Sequence, residues 1–217
     1  KFTLDLSNTT PGSEWSLAAM TLNKVKYPDD TRITAGPSNI RATTFVRNIA
    51  GRKLIYVTDM YGSFLAIYRF NAATDGETAI PSGLFDDNGG EFLWRDANGN
   101  GAKDPGETQS TTAGIYGSQL FPDANGGVWK PYREQGLRYF PLQGFDTHGN
   151  PQYTYASSIV YTLPQLIDTR RVAYDAVNDV LYAAGSSSAG ILGGDWGVAG
   201  DKLVRYNNFL GTRSVAW

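Results

Sequence analysis

Short apolar–polar alternations, broken by Gly, Asn, Asp and Pro, run through most of the chain. Phe2-Thr3-Leu4-Asp5-Leu6 alternates with a period of two, the spacing of a half-buried strand, and residues 8–12 turn. The stretch 16–26 fits either a short helix or two strands, and Pro28-Asp29-Asp30 and Gly36-Pro37-Ser38-Asn39 are loop signals. From Ala42 onward the alternation sharpens. Thr43-Thr44-Phe45-Val46, Lys53-Leu54-Ile55-Tyr56-Val57-Thr58 and Phe64-Leu65-Ala66-Ile67-Tyr68-Arg69-Phe70 read as three strands, with turns at 61–63 and 71–76. A related unit follows in Asp123-Ala124-Asn125-Gly126-Gly127-Val128-Trp129, Gly136-Leu137-Arg138-Tyr139-Phe140 and a hairpin over 144–153. Another comprises Tyr174-Asp175-Ala176-Val177-Asn178-Asp179-Val180-Leu181-Tyr182-Ala183 and Lys202-Leu203-Val204-Arg205-Tyr206-Asn207. Long helical periodicity is missing. The predicted class is all-β.

Each unit holds a strand of the form turn–Leu/Val–x–Tyr/Trp and a later strand with an aromatic beside arginine: Tyr68-Arg69, Arg138-Tyr139, Arg205-Tyr206. These pairs recur roughly 70 residues apart, beyond the ~40–50 of an ordinary propeller blade, so insertions are expected. On these residues the stretch 42–208 resembles bacterial β-propellers of the NHL, SMP-30 and quinoprotein type. Asp123-x-Asn125-Gly126-Gly127-Val128-Trp129 and Tyr174-Asp175-x-x-Asn178-Asp179-x-Leu181-Tyr182 look like their blade-entry hairpins. The resemblance implies a β-propeller, partial or few-bladed, with long inserted loops; the alternative is an irregular β-sandwich. Residues 1–217 are read as one β-repeat domain with an insertion at about 84–112. The start at Lys1, inside a strand pattern, reads as a mature or trimmed piece of a larger chain.

The 217 residues carry a formal charge of −2 and are 41% hydrophobic, enough to bury a core. Lys and Arg are scattered, which argues against a nucleic-acid partner. No apolar run approaches the ~18 residues that span a bilayer as a helix. With Cys 0 and His 1, disulfides, thiol catalysis and histidine-rich metal sites are excluded.

One stretch inside the predicted insertion carries chemistry: Asp96-Ala97-Asn98-Gly99-Asn100-Gly101-Ala102-Lys103-Asp104-Pro105-Gly106-Glu107. Oxygen-bearing side chains stand at loop positions 1, 3, 5, 9 and 12, with glycine at 6, the spacing of a calcium loop. Asp96, Asn98, Asn100, Asp104 and Glu107 would bind Ca2+ by side chain and Ala102 by its carbonyl. Ca2+ takes six to eight oxygens and suits this donor set better than zinc or copper. The loop resembles those of dockerins, and its first nine residues resemble the calcium hairpins of integrin-type propellers. Pro105 and Gly106 argue against the flanking helix of an EF-hand. The competing reading is a Gly/Asn/Asp turn that binds nothing.

His148 sits in a Gly/Asn/Pro turn and reads as a hairpin residue, and Asp59 and Asp195 as turn formers. Trp196, in the Gly/Ser-rich loop 185–200, either docks on its own domain or stacks on a sugar or a partner. Trp15, Trp94, Trp129 and Trp217 read mostly as core. No nucleophile elbow or phosphate loop appears. The expected function is a non-enzymatic extracellular, cell-surface or periplasmic module with structural calcium, binding protein or carbohydrate. The alternatives are a calcium-dependent lactonase, lyase or quinoprotein-like dehydrogenase, implied by the propeller resemblance, and a structural subunit of a surface assembly.

Overall fold

The computed structural model describes residues 1–34, 43–59, 62, 64–86, 90–111, 119–188 and 199–217. Among them the chain is all-β apart from one helical turn, Thr31–Thr34. Strands β1 (Phe2–Leu4) and β2 (Trp15–Leu17) form a two-stranded ribbon. The chain then builds a six-stranded sheet from β3 (Thr43–Ile49), β4 (Arg52–Thr58), β5 (Phe64–Arg69), β6 (Ile80–Asp86), β7 (Phe92–Arg95) and β8 (Thr108–Ser110). Two four-stranded sheets follow. One comprises β9 (Phe121–Pro122), β10 (Val128–Pro131), β11 (Leu137–Phe140) and β12 (Ile159–Tyr161), and the other β13 (Asp168–Asp175), β14 (Val180–Ser186), β15 (Lys202–Asn207) and β16 (Ser214–Val215). Every sheet is an antiparallel meander with its strands in sequence order, and none closes into a barrel.

Period-two alternation explains how the sheets stack. In the six-stranded sheet Leu54, Tyr56, Leu65, Ile67, Phe85 and Leu93 face one way and pack with Leu120, Val128 and Phe140. Val57, Phe64, Ala66, Tyr68, Leu84 and Trp94 face the other way into a separate cluster. The β9–β12 sheet is covered on both sides, because Trp129 and Leu137 pack against Val172, Tyr174, Leu181, Val204 and Tyr206 of the last sheet. At ~25 cal/mol per Å2 of apolar surface, such double-sided burial is the dominant stabilising term.

The three arginine–aromatic pairs all lie on the third strand of their sheets: β5, β11 and β15. The order matters. Tyr139 and Tyr206 both pack toward the Trp129 cluster, whereas in the reversed Tyr68-Arg69 pair the tyrosine joins the outer cluster. The arginine then turns inward to the loops beyond β11, where Arg69 Nε donates to Asn150 Oδ1 at 2.7 Å.

Trp94 and Trp129 are core, at 7% and 0% exposure, but Trp15 and Trp217 are not, at 51% and 56%. Trp15 packs edge-on against Phe2 on a two-stranded ribbon whose apolar side chains stay largely exposed, and strand alternation alone does not report such exposure. The 16–26 stretch supplies only the end of β2 and irregular chain, so neither of its two readings holds in full. No helix among the described residues is long and apolar enough to cross a membrane.

Candidate functional site

The calcium-type loop joins β7 to β8, so a hairpin carries it rather than a pair of helices, and Arg95 N donates to Glu107 O at 3.2 Å to close its neck. Asp96 is fully buried. Its Oδ1 accepts the Gly101 N–H at 3.0 Å, and its Oδ2 accepts Arg69 Nη2 at 3.1 Å. Gly99 and Gly101 have φ of +82° and +76°, and a Cβ there would lie 2.3 Å from His148 and 2.5 Å from the Tyr27 ring. Both therefore have a steric reason to be glycine.

The outer half of the loop gathers the remaining donors. Asn98 Nδ2 and Asn100 Nδ2 each donate to Asp104 Oδ2 at 2.8 Å. Asn98 Oδ1 accepts Asn100 N at 3.0 Å, and Asn100 Oδ1 accepts Ala102 N at 2.7 Å. Glu107 spans the base, accepting the N–H groups of Ala97, Asn98 and Asp104 and, at 2.9 Å, the Trp94 indole N–H. Asn98, Asn100 and Asp104 thus converge, while Asp96 and Glu107 each bond both backbone N–H groups and one core side chain, Arg69 and Trp94 respectively. Among the described residues no three carboxylate or imidazole groups gather closely enough to hold a metal ion.

The donors are all oxygens, which fits a hard cation, and two of them are neutral amides. Arg69 tempers the fit. It pairs with Asp96 and also donates to the Gly99 carbonyl at 3.1 Å, placing positive charge behind the loop. Burial pushes the Asp96 carboxyl above its ordinary value, against the pull of Gly101 N–H and Arg69. The Asn98 and Asn100 amides hold Asp104 below its ordinary value.

His148 lies in the turn between Phe145 and Pro151, where its N–H caps Asp146 Oδ1 at 3.0 Å, so it is a hairpin residue. Asp59 follows β4 and is 2% exposed. Asp195 and Trp196 lie outside the described residues.

Buried charge clusters among the described residues escaped the sequence reading. Glu91 accepts the Tyr132 hydroxyl at 2.5 Å and pairs with Lys130 at 3.3 Å, all three nearly inaccessible. Burial, then the bond to Glu91, drives the Tyr132 hydroxyl pKa far upward. Asp168 pairs with Arg133 and Arg170, each at 2.8 Å. No local pattern marks these residues, since Glu91 and Lys130 meet only when two sheets stack. No family model matches the chain, and no curated protein matches it.

Proposed function

We propose that the chain is a non-enzymatic, propeller-like β-repeat module whose β7–β8 hairpin takes a structural Ca2+ and whose surface binds protein or carbohydrate outside the cytoplasm. The observation that carries this reading is the rim of the hairpin, where Asn98, Asn100 and Asp104 converge beside a Gly101 turn pinned by Asp96. Three sheets stacked face to face, the middle one covered on both sides, support a propeller-like array over a two-sheet sandwich. Asp96, Asn98, Asn100, Asp104 and Glu107 would hold the ion by side chain and Ala102 by its carbonyl. The bound ion would supply a charge that draws these oxygens together and orders a loop without a core of its own. Asn in two ligand positions lowers the site's negative charge and suits a weak site filled at extracellular calcium levels.

The test is a thermal melt in millimolar calcium and in excess chelator, on the wild type and on Asp104→Ala. Ligand binding to the folded state alone predicts ~1–3 kcal/mol of stabilisation, or roughly 2–10 °C for a chain of this size. Asp104→Ala is expected to melt slightly below the wild type in chelator and to lose the calcium shift. Identical wild-type melts in both buffers would reduce the hairpin to a plain turn.

A further inference from the structure

A cleft of about 400 Å3 opens where four segments meet: the chain at Lys26-Tyr27, the β5–β6 turn, the Gly99-Asn100 edge of the β7–β8 hairpin and the turn at Thr147-His148. Its floor is buried, with Tyr27 and Ile80 at 4% and 3% exposure and the Arg69 side chain at 10%. Three contacts fix that guanidinium. Nε donates to Asn150 Oδ1 at 2.7 Å, and Nη2 donates to Asp96 Oδ2 and to the Gly99 carbonyl, both at 3.1 Å. The N–H groups on Nη1 have no acceptor among the described residues, on a side chain that lines the cleft. A guanidinium held still with a donor to spare is preorganised for an acceptor from outside.

The rim adds further polar groups. The His148 imidazole lies against the Gly99 backbone, where a Cβ would come 2.3 Å from Nδ1, and among the described residues its ring nitrogens form no hydrogen bond. Asn71 spends its Oδ1 on the Ala73 N–H at 3.1 Å and keeps its amide donors. Thr147 contributes an exposed hydroxyl. The charges of the wall are already matched. Lys26 and Tyr27 both donate to Asp75 Oδ1, and Arg69 pairs with Asp96.

This inventory selects the ligand. An apolar molecule would strip water from these groups without replacing its hydrogen bonds. An ion would compete with pairs already made, since Lys26 and Arg69 have their carboxylates. A polyol meets neither cost, because each hydroxyl both donates and accepts and so suits Arg69 Nη1, the Asn71 amide and either tautomer of His148. We propose that the cleft binds a neutral mono- or disaccharide, its hydroxyls held by Arg69 on the floor and by Asn71, Thr147 and His148 on the rim. The inference rests on the module reading above, within which it selects carbohydrate over protein. The volume sits at the small end of ligand sites, as a one- or two-ring sugar requires.

The test is NMR titration of the whole chain, in millimolar calcium, with glucose, galactose, mannose, N-acetylglucosamine, maltose and cellobiose. The variants are His148→Ala and Thr147→Trp, both at exposed turn positions where the fold should tolerate them. Saturable binding of at least one sugar is expected, with the Arg69 guanidinium signals among those that shift. His148→Ala should weaken it about threefold to tenfold, the loss of one hydrogen bond, and Thr147→Trp should abolish it by filling the cleft. No saturable binding of any of these sugars, or equal affinity in all three proteins, would overturn the proposal. A calcium-shifted melt with no sugar bound would sink this inference and leave the calcium reading standing. Sugar binding lost in Thr147→Trp, in a protein whose melt ignores calcium, would support the cleft and remove only the ion.

Discussion

Two aspartate-led hairpins, β7–β8 and β9–β10, draw on the same residue types and distribute the work differently. In the shorter one Asp123 does everything. Its Oδ1 accepts the N–H groups of Asn125 and Gly127 at 2.8 and 2.9 Å, and its Oδ2 takes the Trp129 indole at 2.8 Å. In the longer hairpin the tasks divide. Asp96 holds the Gly101 turn and Glu107 takes the Trp94 indole. Asn98, Asn100 and Asp104 are left over at the rim, bonded chiefly to one another and to local backbone. An Asp/Asn/Gly composition therefore does not separate a turn from a ligand loop. What differs is that the longer hairpin carries a carboxylate, Asp104, whose side chain bonds two amides rather than the backbone.

The largest break in that comparison should come from Asp123→Ala, which strands two backbone N–H groups and a buried indole. A loss of roughly 3 kcal/mol is expected by urea unfolding, the same with and without calcium. A calcium-dependent loss would point to an ion at the short hairpin instead. Two of the loop's glycines give a smaller contrast. Gly101→Ala combines φ of +76° with a contact 2.5 Å from the Tyr27 ring, whereas Gly106 has φ of +88° in open space. The expected costs are ~2 and ~1 kcal/mol, and equal costs would mean that Tyr27 simply moves aside.

The smallest effect lies in acid titration. Burial raises the Asp96 and Asp123 carboxyls from the ordinary 3.8, while amide hydrogen bonds lower Asp104 from the same value. A carboxyl raised in the folded state binds more protons there than in the unfolded chain. Stability from Asp96 and Asp123 should therefore increase as pH falls from their raised values toward 3.8. Asp104 has the opposite sign: its contribution is present above 3.8 and lost as pH falls through its lowered value. Side-chain NMR titration that found all three carboxyls moving together would contradict the division of roles between buried anchor and exposed rim.

Much of the strand pattern was legible because alternation is a local property. Lys53–Thr58, Phe64–Phe70, 136–140 and 202–207 all fall on observed strands to within a residue or two. The oxygen spacing of residues 96–107 was equally local, and Gly101 takes a φ of +76° within it. The ribbon of β1 and β2 shows the limit, since Phe2, Leu4, Trp15 and Leu17 alternate like core residues yet remain exposed. Burial needs a second surface, and alternation carries no information about whether one arrives.

The sequence by itself determined the all-β class, the turns at 71–76 and 123–127, the recurrence of arginine beside an aromatic and the oxygen spacing of residues 96–107. Only the tertiary structure decided which of these groups face one another. Arg69 meets Asp96 and Asn150 from 27 and 81 residues away, and Tyr132 meets Glu91 across 41. Local propensity has a range of a few residues, whereas a buried charge pair forms only when stacking sheets bring distant strand ends together and exclude water between them.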